Sequence, residues 1–442
     1  MSDSNLFAAE FQESPYWWEA YQPDEGVCDP VPRESRVAIV GAGYAGLAAA
    51  LELARHGIEA TVFDAEAPGF GASTRSGGLV DGLATIKKPL RTAPENPNLA
   101  GRIISDTADA LSLLDDLIEG EGIDCEWTKS GRFIGAWTRK DFRRMQASVE
   151  RLTTLGVTDV QTVPHEAQSA EIGSELYRGG LAIGLGGHLH PARYFQGLLQ
   201  ACRKRSVTLC GRTAVTGLSQ ENGAWQVKTE RGELRCGDVI IATNGHTGDL
   251  TPQFRRRLVP VQPYIIATTP LPDALARELS PRNRGLSDSK RVLTFFRLAG
   301  DPPRMVFGSR VKWRDTTATD MAPSLHRLML ERFPQLEGTK ITHAWNGKVA
   351  VTFDERPHMG RMTGLHYALG CNGSGVAMMT FLGTLVAQKI ARQTNALCAF
   401  DTQDFPGHPL YSGGKSPLIS SFGTLLRMRD WADRRLDEIL PW

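Results

Sequence analysis

The stretch Arg36-Val-Ala-Ile-Val-Gly-Ala-Gly-Tyr-Ala-Gly-Leu-Ala-Ala-Ala-Leu-Glu-Leu-Ala-Arg-His-Gly57 decides the fold. An unbroken apolar run reads as a buried strand, and it ends at the glycine turn Gly41-x-Gly43-x-x-Gly46. A helical run from Leu47 to His56 follows, closed by Gly57 as a C-terminal cap. A second strand, Ala60-Thr-Val-Phe63, ends at Asp64. In that strand–turn–helix–strand setting each glycine has a reason. The first allows the tight turn, the second lets backbone approach a pyrophosphate, and the third packs helix on strand. The helix N-terminus supplies amide donors to phosphate, and Asp64 sits where an acid accepts from ribose hydroxyls. The spacing predicts a Rossmann-like dinucleotide-binding unit, without separating a nicotinamide from a flavin.

A second stretch bears on that choice. Gly69 to Gly82, "GFGASTRSGGLVDG", is almost devoid of core-forming side chains. A resident flavin needs a neck that grips pyrophosphate and ribityl chain and then runs beside the ring. Amides of the small residues Gly71, Ala72 and Ser73 suit that task, and Arg75 offers a guanidinium. Gly77 and Gly78 let the chain pass close to a flat ring. The plain alternative is a mobile surface loop. A later turn, Gly370-Cys-Asn-Gly-Ser-Gly-Val376, precedes another apolar helix, whose N-terminus suits the electron-rich N1/C2 end of a reduced flavin.

The remaining chain frames these turns. At 442 residues, with 41% hydrophobic and 22% charged residues, it is globular and long enough for two domains. A net charge of +1 favours neither nucleic acid nor an anionic membrane as partner. No apolar run approaches membrane-spanning length, and the acidic start lacks a secretory pattern. Seven scattered cysteines, without a Cys-x-x-Cys pair, suit reduced thiols. A cytoplasmic, metal-free protein is the expectation. The first thirty-odd residues read as a proline-punctuated lead-in, with "PYWW" (15–18) a candidate to cap a channel, cage a cationic amine, or dock the tail on the body. Residues 99–118, 141–155 and 190–206 read as helices, 127–138 as a hairpin, and 213–245 as a β-meander. From about 252 to 344 the texture changes to strands of a separate sheet.

Several of these stretches taken together resemble one family. "VAIVGAGYAGLAAALELARHG", "GFGASTRSGG", "GGHLHPARYFQGL", "VIIATNGHTGDL", "DERPHMGRMTGLHYALGCNGSG" and "FPGHPLYSGG" occur in order between about 14 and about 430. They are similar to the FAD-dependent D-amino-acid-oxidase-like superfamily, in its γ-glutamylputrescine oxidoreductase-like branch. The resemblance implies an α/β fold: a Rossmann-like, glutathione-reductase-like FAD-binding domain with an inserted antiparallel sheet and helices forming a substrate domain. The corresponding division is 1–33 lead-in; 34–100, 165–252 and 345–400 FAD-binding; 101–164 and 253–344 substrate domain; 401–442 tail with a helix.

It also implies non-covalent FAD and oxidation of a C–N bond in an amine or amino acid, with oxygen or an electron carrier taking the electrons. Gly41, Gly43, Tyr44, Ala45, Gly46, Asp64 and Ala65 would hold the adenosine diphosphate half, with Val215 beside the adenine. Gly71 to Ser73, Arg75, Ser76, Gly77, Gly78 and Leu79 would form the neck. Thr243, Asn244 and Gly245 would meet the cofactor, as would Gly370, Asn372, Gly373, Ser374, Gly375 and Val376 at the pyrimidine end. Thr74, Ser76, Leu79 and Ser374 stand where the branch usually has Gly, Asn, Gln and His, which leaves the substrate open.

Tyr264, Arg310, Trp345 and Ser374 are the candidates for the substrate face. Arg310 is suited to a carboxylate, though an arginine on a strand is often a surface residue; Trp345 is suited to a wall, or simply to core. Lys348 is either beside the flavin or solvated. His188 and His190 read as structural or pocket-lining, and Cys371 raises covalent attachment. Two other readings compete: a flavin monooxygenase fed by NAD(P)H, for which no second strand–GxGxxG–helix unit is found, and an inactive flavin-holding partner subunit.

Overall fold

The strand Glu34–Val40 is buried from Val37 onward on both faces, as a run without polar alternation requires of a central parallel strand. It pairs in parallel with Gly232–Ile241 on one side and Ala60–Phe63 on the other, and Thr208–Cys210 continues the sheet beyond. This chain is known here from a computed structural model, which describes residues 6–81, 95–309, 316–392, 398–401, 405–409, 411–414 and 417–439. Leu365–Leu369 joins the same sheet in parallel at the end of Gly232–Ile241 and carries His358–Met362 antiparallel to it. The meander Val215–Glu221, Ala224–Thr229, Gly232–Ile241 completes eight strands.

Two helices stack against this sheet, Tyr44–Arg55 and Gly375–Ile390, and their contact is close because Gly383 faces Ala45: a Cβ at 383 would stand 2.2 Å from the Ala45 carbonyl oxygen. The helix Pro97–Gly120 buries Ile103, Leu114 and Leu117 in the same core as Leu47 and Leu382. That packing puts it with the nucleotide-binding body, not with the second domain where the 101–164 division placed it. An apolar stripe announces a helix but not the body it packs on.

The second sheet has nine strands in the order Phe7–Gln12, Ile341–Asn346, Tyr264–Thr268, Arg304–Ser309, Thr294–Ala299, Gly285–Asp288, Arg132–Gly135, Gly180–Ile183 and Val160–Val163. Pairing is antiparallel except at Phe7–Gln12 with Ile341–Asn346 and Gly285–Asp288 with Arg132–Gly135. The lead-in therefore does contain regular structure, an edge strand. The expected hairpin at 127–138 is instead one strand, Arg132–Gly135, whose partners are distant in sequence.

One face of this sheet carries Ile266, Phe296 and Phe307 against the helix Ala318–Arg332. The other face carries Ile265, Ala267, Val306 and Trp345. A cleft runs between that second face and the glycine turns of the first body.

Candidate active site

The first glycine turn is fixed by contacts that no side chain would allow. Gly41 has φ +108°, and a Cβ at Gly46 would lie 1.9 Å from the Gly41 carbonyl oxygen. Asp64 accepts from the amides of Ala42 (2.9 Å) and Glu66 (3.0 Å), one on each carboxylate oxygen. Burial lifts its carboxyl to about 6, and each oxygen keeps a lone pair for a ligand hydroxyl. The Thr213 amide donates to the Asp64 carbonyl at 2.7 Å, which brings Val215 to the same end of the cleft as Ala65.

The neck loop is clamped from behind. Four successive carbonyls, those of Arg75, Ser76, Gly77 and Gly78, accept from Trp345 Nε1 (2.8 Å), Trp17 Nε1 (2.7 Å), Arg297 Nε (2.9 Å) and the Leu189 amide (2.9 Å). Trp18 Nε1 donates to Thr74 Oγ1 at 3.0 Å, and that hydroxyl donates to the Gly69 carbonyl at 2.7 Å. The "PYWW" segment thus docks on this loop. With the carbonyls drawn to the back, Ala72, Ser73, Ser76 and Gly77 border the cleft. Tyr44, at the start of the first helix, ties in Ser73: its amide donates to Ser73 Oγ at 3.1 Å and its hydroxyl to the Ser73 carbonyl.

Arg75 lies between two rings, with its guanidinium carbon 4.5 Å from the centroids of Trp18 and of Phe70. It donates to the Phe70 carbonyl at 2.7 Å and the Asn346 carbonyl at 3.3 Å, and burial lowers it to about 10. It remains cationic at neutral pH and borders the cleft.

Two asparagines build the far turn. Asn244 Oδ1 accepts from the amides of Gly370 (3.0 Å) and Cys371 (3.2 Å), while its Nδ2 donates to Cys371 Sγ at 3.1 Å. Asn372 Oδ1 accepts from the Thr352 amide at 3.0 Å. Ser374 takes the N-cap position of Gly375–Ile390, with no side-chain cap bond. Gly373, Gly375 and Val376 border the cleft beside Thr243, Asn244 and Gly245; Asn372, Ser374, Gly370, Gly78 and Gly46 shape the turns without bordering it.

The cleft has a cavity volume of about 440 Å³, is open to solvent, and is lined from Asp64, past the neck loop, to Val376. Its opposite wall comes from the second sheet: Pro263, Ile265, Leu293 and Phe295. Tyr264 does not face it. Alternation along the strand turns that ring into the core over Ala318–Arg332, where its hydroxyl donates to the Thr316 carbonyl at 3.1 Å, and presents Ile265 to the cleft instead. Trp345 is on the cleft-side face but sits beneath the neck loop, 1% exposed. Arg310 lies outside the described residues.

His188 and His190 are also away from the cleft lining. His188 is driven to about 3 by burial and then by Arg297, and His190 caps the helix Pro191–Lys204. Lys348 borders the cleft and is exposed.

Three bordering groups went unread in the sequence. Arg132, 5% exposed, pairs with Asp81 and donates to the Gly285 carbonyl (3.0 Å) and Ser287 Oγ (3.2 Å). His246 is held down to about 4 by burial, then Lys348 and Arg75, and is therefore neutral. Nothing local marks "GRFIGAW" as carrying a buried arginine, because Asp81 comes from another strand far along the chain.

An elongated dinucleotide fits what these residues form: bare amides at two helix N-termini, a spare acceptor at Asp64, a cation at Arg75 and an apolar wall for a flat ring. Fold and cleft define a two-domain flavoprotein oxidoreductase. The chain belongs to the family of FAD dependent oxidoreductases (DAO), which matches residues 36–389. It is 32% identical to a probable oxidoreductase, OrdL, of Haemophilus influenzae, over 85% of this chain and 87% of that one. It is 29% identical to the gamma-glutamylputrescine oxidoreductase of Escherichia coli, over 89% and 92%. Among solved structures, L-proline dehydrogenase from P. horikoshii superposes with a TM-score of 0.70 at 18% identity, covering 84% of this chain and 97% of that one. Glycine oxidase from Geobacillus kaustophilus gives 0.68 at 20%, covering 86% and 99%. At those identities the structures speak for the fold alone. Its cofactor is FAD.

Proposed function

We propose that the chain oxidises the C–N bond of a primary or secondary amine or an amino acid. The observation that carries this reading is the apolar wall of Pro263, Ile265, Leu293 and Phe295, set across from a neck loop whose four carbonyls from Arg75 to Gly78 are held by donors behind it. Bound FAD supplies a hydride acceptor, N5, for the α-C–H of a neutral amine, leaving an imine that water hydrolyses to a carbonyl compound.

The chain's own contribution is to bind, orient and exclude. Asp64, fixed by the Ala42 amide, would accept from the adenosine end, Arg75 supplies the fixed positive charge, and the glycine turn before Val376 borders the other end of the cleft. Ile265 and Phe295 keep water from the reacting carbon. The Asp81–Arg132 pair is the charged feature at the second-sheet end, and Asp81 is our candidate partner for the substrate nitrogen. The names of the relatives support an amine or amino acid, since they include gamma-glutamylputrescine oxidoreductase and, at 26% identity, the glycine oxidase of Pseudomonas aeruginosa.

Product analysis tests this. The holoprotein is turned over with polyamines, N-methylated amino acids and cyclic amino acids, and carbonyl product is quantified with the amine or ammonia released, or, for a cyclic substrate, as the ring imine and its ring-opened amino-carbonyl form. Stoichiometric product from one class supports the assignment. No carbonyl product from any class, with flavin bound, rejects it.

A further inference from the structure

The C-terminal helix, Pro417–Ile439, is attached to the body the wrong way round for a globular protein. A surface helix ordinarily buries its apolar stripe and solvates its polar face. Here the polar face is buried. Asp430, 4% exposed, accepts from the Arg291 amide (3.1 Å), Arg291 Nη1 (3.0 Å) and the Val292 amide (3.1 Å). Asp437, 3% exposed, accepts from the Arg139 amide at 2.8 Å and Arg178 Nε at 3.2 Å. Arg434 donates to the Trp137 carbonyl at 2.6 Å and lies 4.9 Å over that ring, and Asp433 pairs with Arg291 at 2.7 Å.

The outward side then carries Leu425, Met428, Trp431, Leu436 and Ile439, exposed by 43, 63, 65, 52 and 73%. Those positions recur on one face of a helix over four turns. The outward charge is mainly basic. Asp430, Asp433 and Asp437 are taken up by the body and Glu438 pairs with Arg434 (3.2 Å) and Arg435 (3.3 Å), whereas Arg427 and Arg429 are exposed along the borders of the stripe and Arg435 lies within it, 5.9 Å over the Trp431 ring. A second copy would bring the same cations against each other. A layer of anionic headgroups over acyl chains complements both the stripe and its borders.

We propose that this helix lies in the surface of an anionic lipid bilayer, its stripe in the acyl boundary and its arginines at the phosphates, with the body above it. The docking is peripheral: no described helix is long and apolar enough to cross a membrane. It is independent of the cleft and holds whatever the substrate.

The full-length holoprotein is floated with vesicles of phosphatidylcholine alone and of phosphatidylcholine with phosphatidylglycerol, at low and high salt, beside the double variant Trp431→Glu/Ile439→Glu. Expected is binding to the anionic vesicles, weakened by salt and reduced on the order of tenfold or more in the variant, with its flavin spectrum unchanged. Absence of binding to anionic vesicles, or binding that the variant leaves intact, overturns the proposal. So does a dimer, seen by light scattering, that the variant turns to monomer while the parent ignores vesicles, since the stripe then belongs to a second copy.

Discussion

Asp64 joins the sequence motif to a measurable property. Its two oxygens each accept one loop amide, and burial raises the carboxyl to about 6. Above that pH it is ionised and accepts from a ligand hydroxyl; below it a proton occupies an acceptor. Ligand donors favour the carboxylate, so FAD binding releases a proton in this range, and affinity falls by up to about tenfold per pH unit below about 6. Titrating apoprotein with FAD by flavin fluorescence between pH 8 and 5 checks this; a flat profile contradicts it. Trp17 is tested by Trp17→Phe, which keeps an aromatic ring, smaller than the indole, and removes the donor to the Ser76 carbonyl. The loss is about 1–3 kcal/mol, read as a lower holoprotein Tm and faster flavin release. The glycine turns, Asp64 and Arg75 could be placed at the cleft from sequence because the strand–turn–helix pattern that marks them is local. Tyr264 was misplaced because composition shows a strand but not which face looks inward, and one residue of parity exchanges Tyr264 for Ile265.

At the scale of elements, the neck loop has no core of its own and takes its shape from donors on three separate segments: the lead-in, the second sheet and the turn before Pro191. Arg297 shows the dependence most clearly. Wholly buried and lowered to about 10 by that burial, it bonds the carbonyls of Gly77, Leu189 (2.7 Å) and Leu298 (3.1 Å). Arg297→Met leaves these carbonyls without their donor and releases flavin faster than Trp17→Phe, as stopped-flow displacement by a competing apoflavoprotein reads. At the first turn, Gly46→Ala places a methyl against the Gly41 carbonyl, costs about 1–3 kcal/mol in overpacking, and yields protein purified without yellow colour. The βαβ opening, the meander and the helices following Pro191 and Gly375 were readable from periodicity and turn residues. The edge strand Phe7–Gln12 and the pairing of Arg132–Gly135 with Gly285–Asp288 were not, because each partner lies far away in sequence.

The whole molecule places one wall of the cleft on each body. The nucleotide-binding sheet brings its glycine turns to one end of its strands, and the second sheet presents the alternate residues Ile265, Leu293 and Phe295 to them. The two-body plan and the flavin cleft could be anticipated from the ordered motifs; the Asp81–Arg132 pair and neutral His246 could not, since both arise where the bodies meet. The central claim is that an uncharged amine delivers a hydride within this cleft. The most direct measurement is the visible spectrum of the purified yellow protein under nitrogen, mixed in turn with polyamines, N-methylated and cyclic amino acids, and NADPH. Bleaching by one class of amine, faster as pH rises and that amine loses its proton, is the predicted result. A spectrum that no amine bleaches but NADPH does would contradict it.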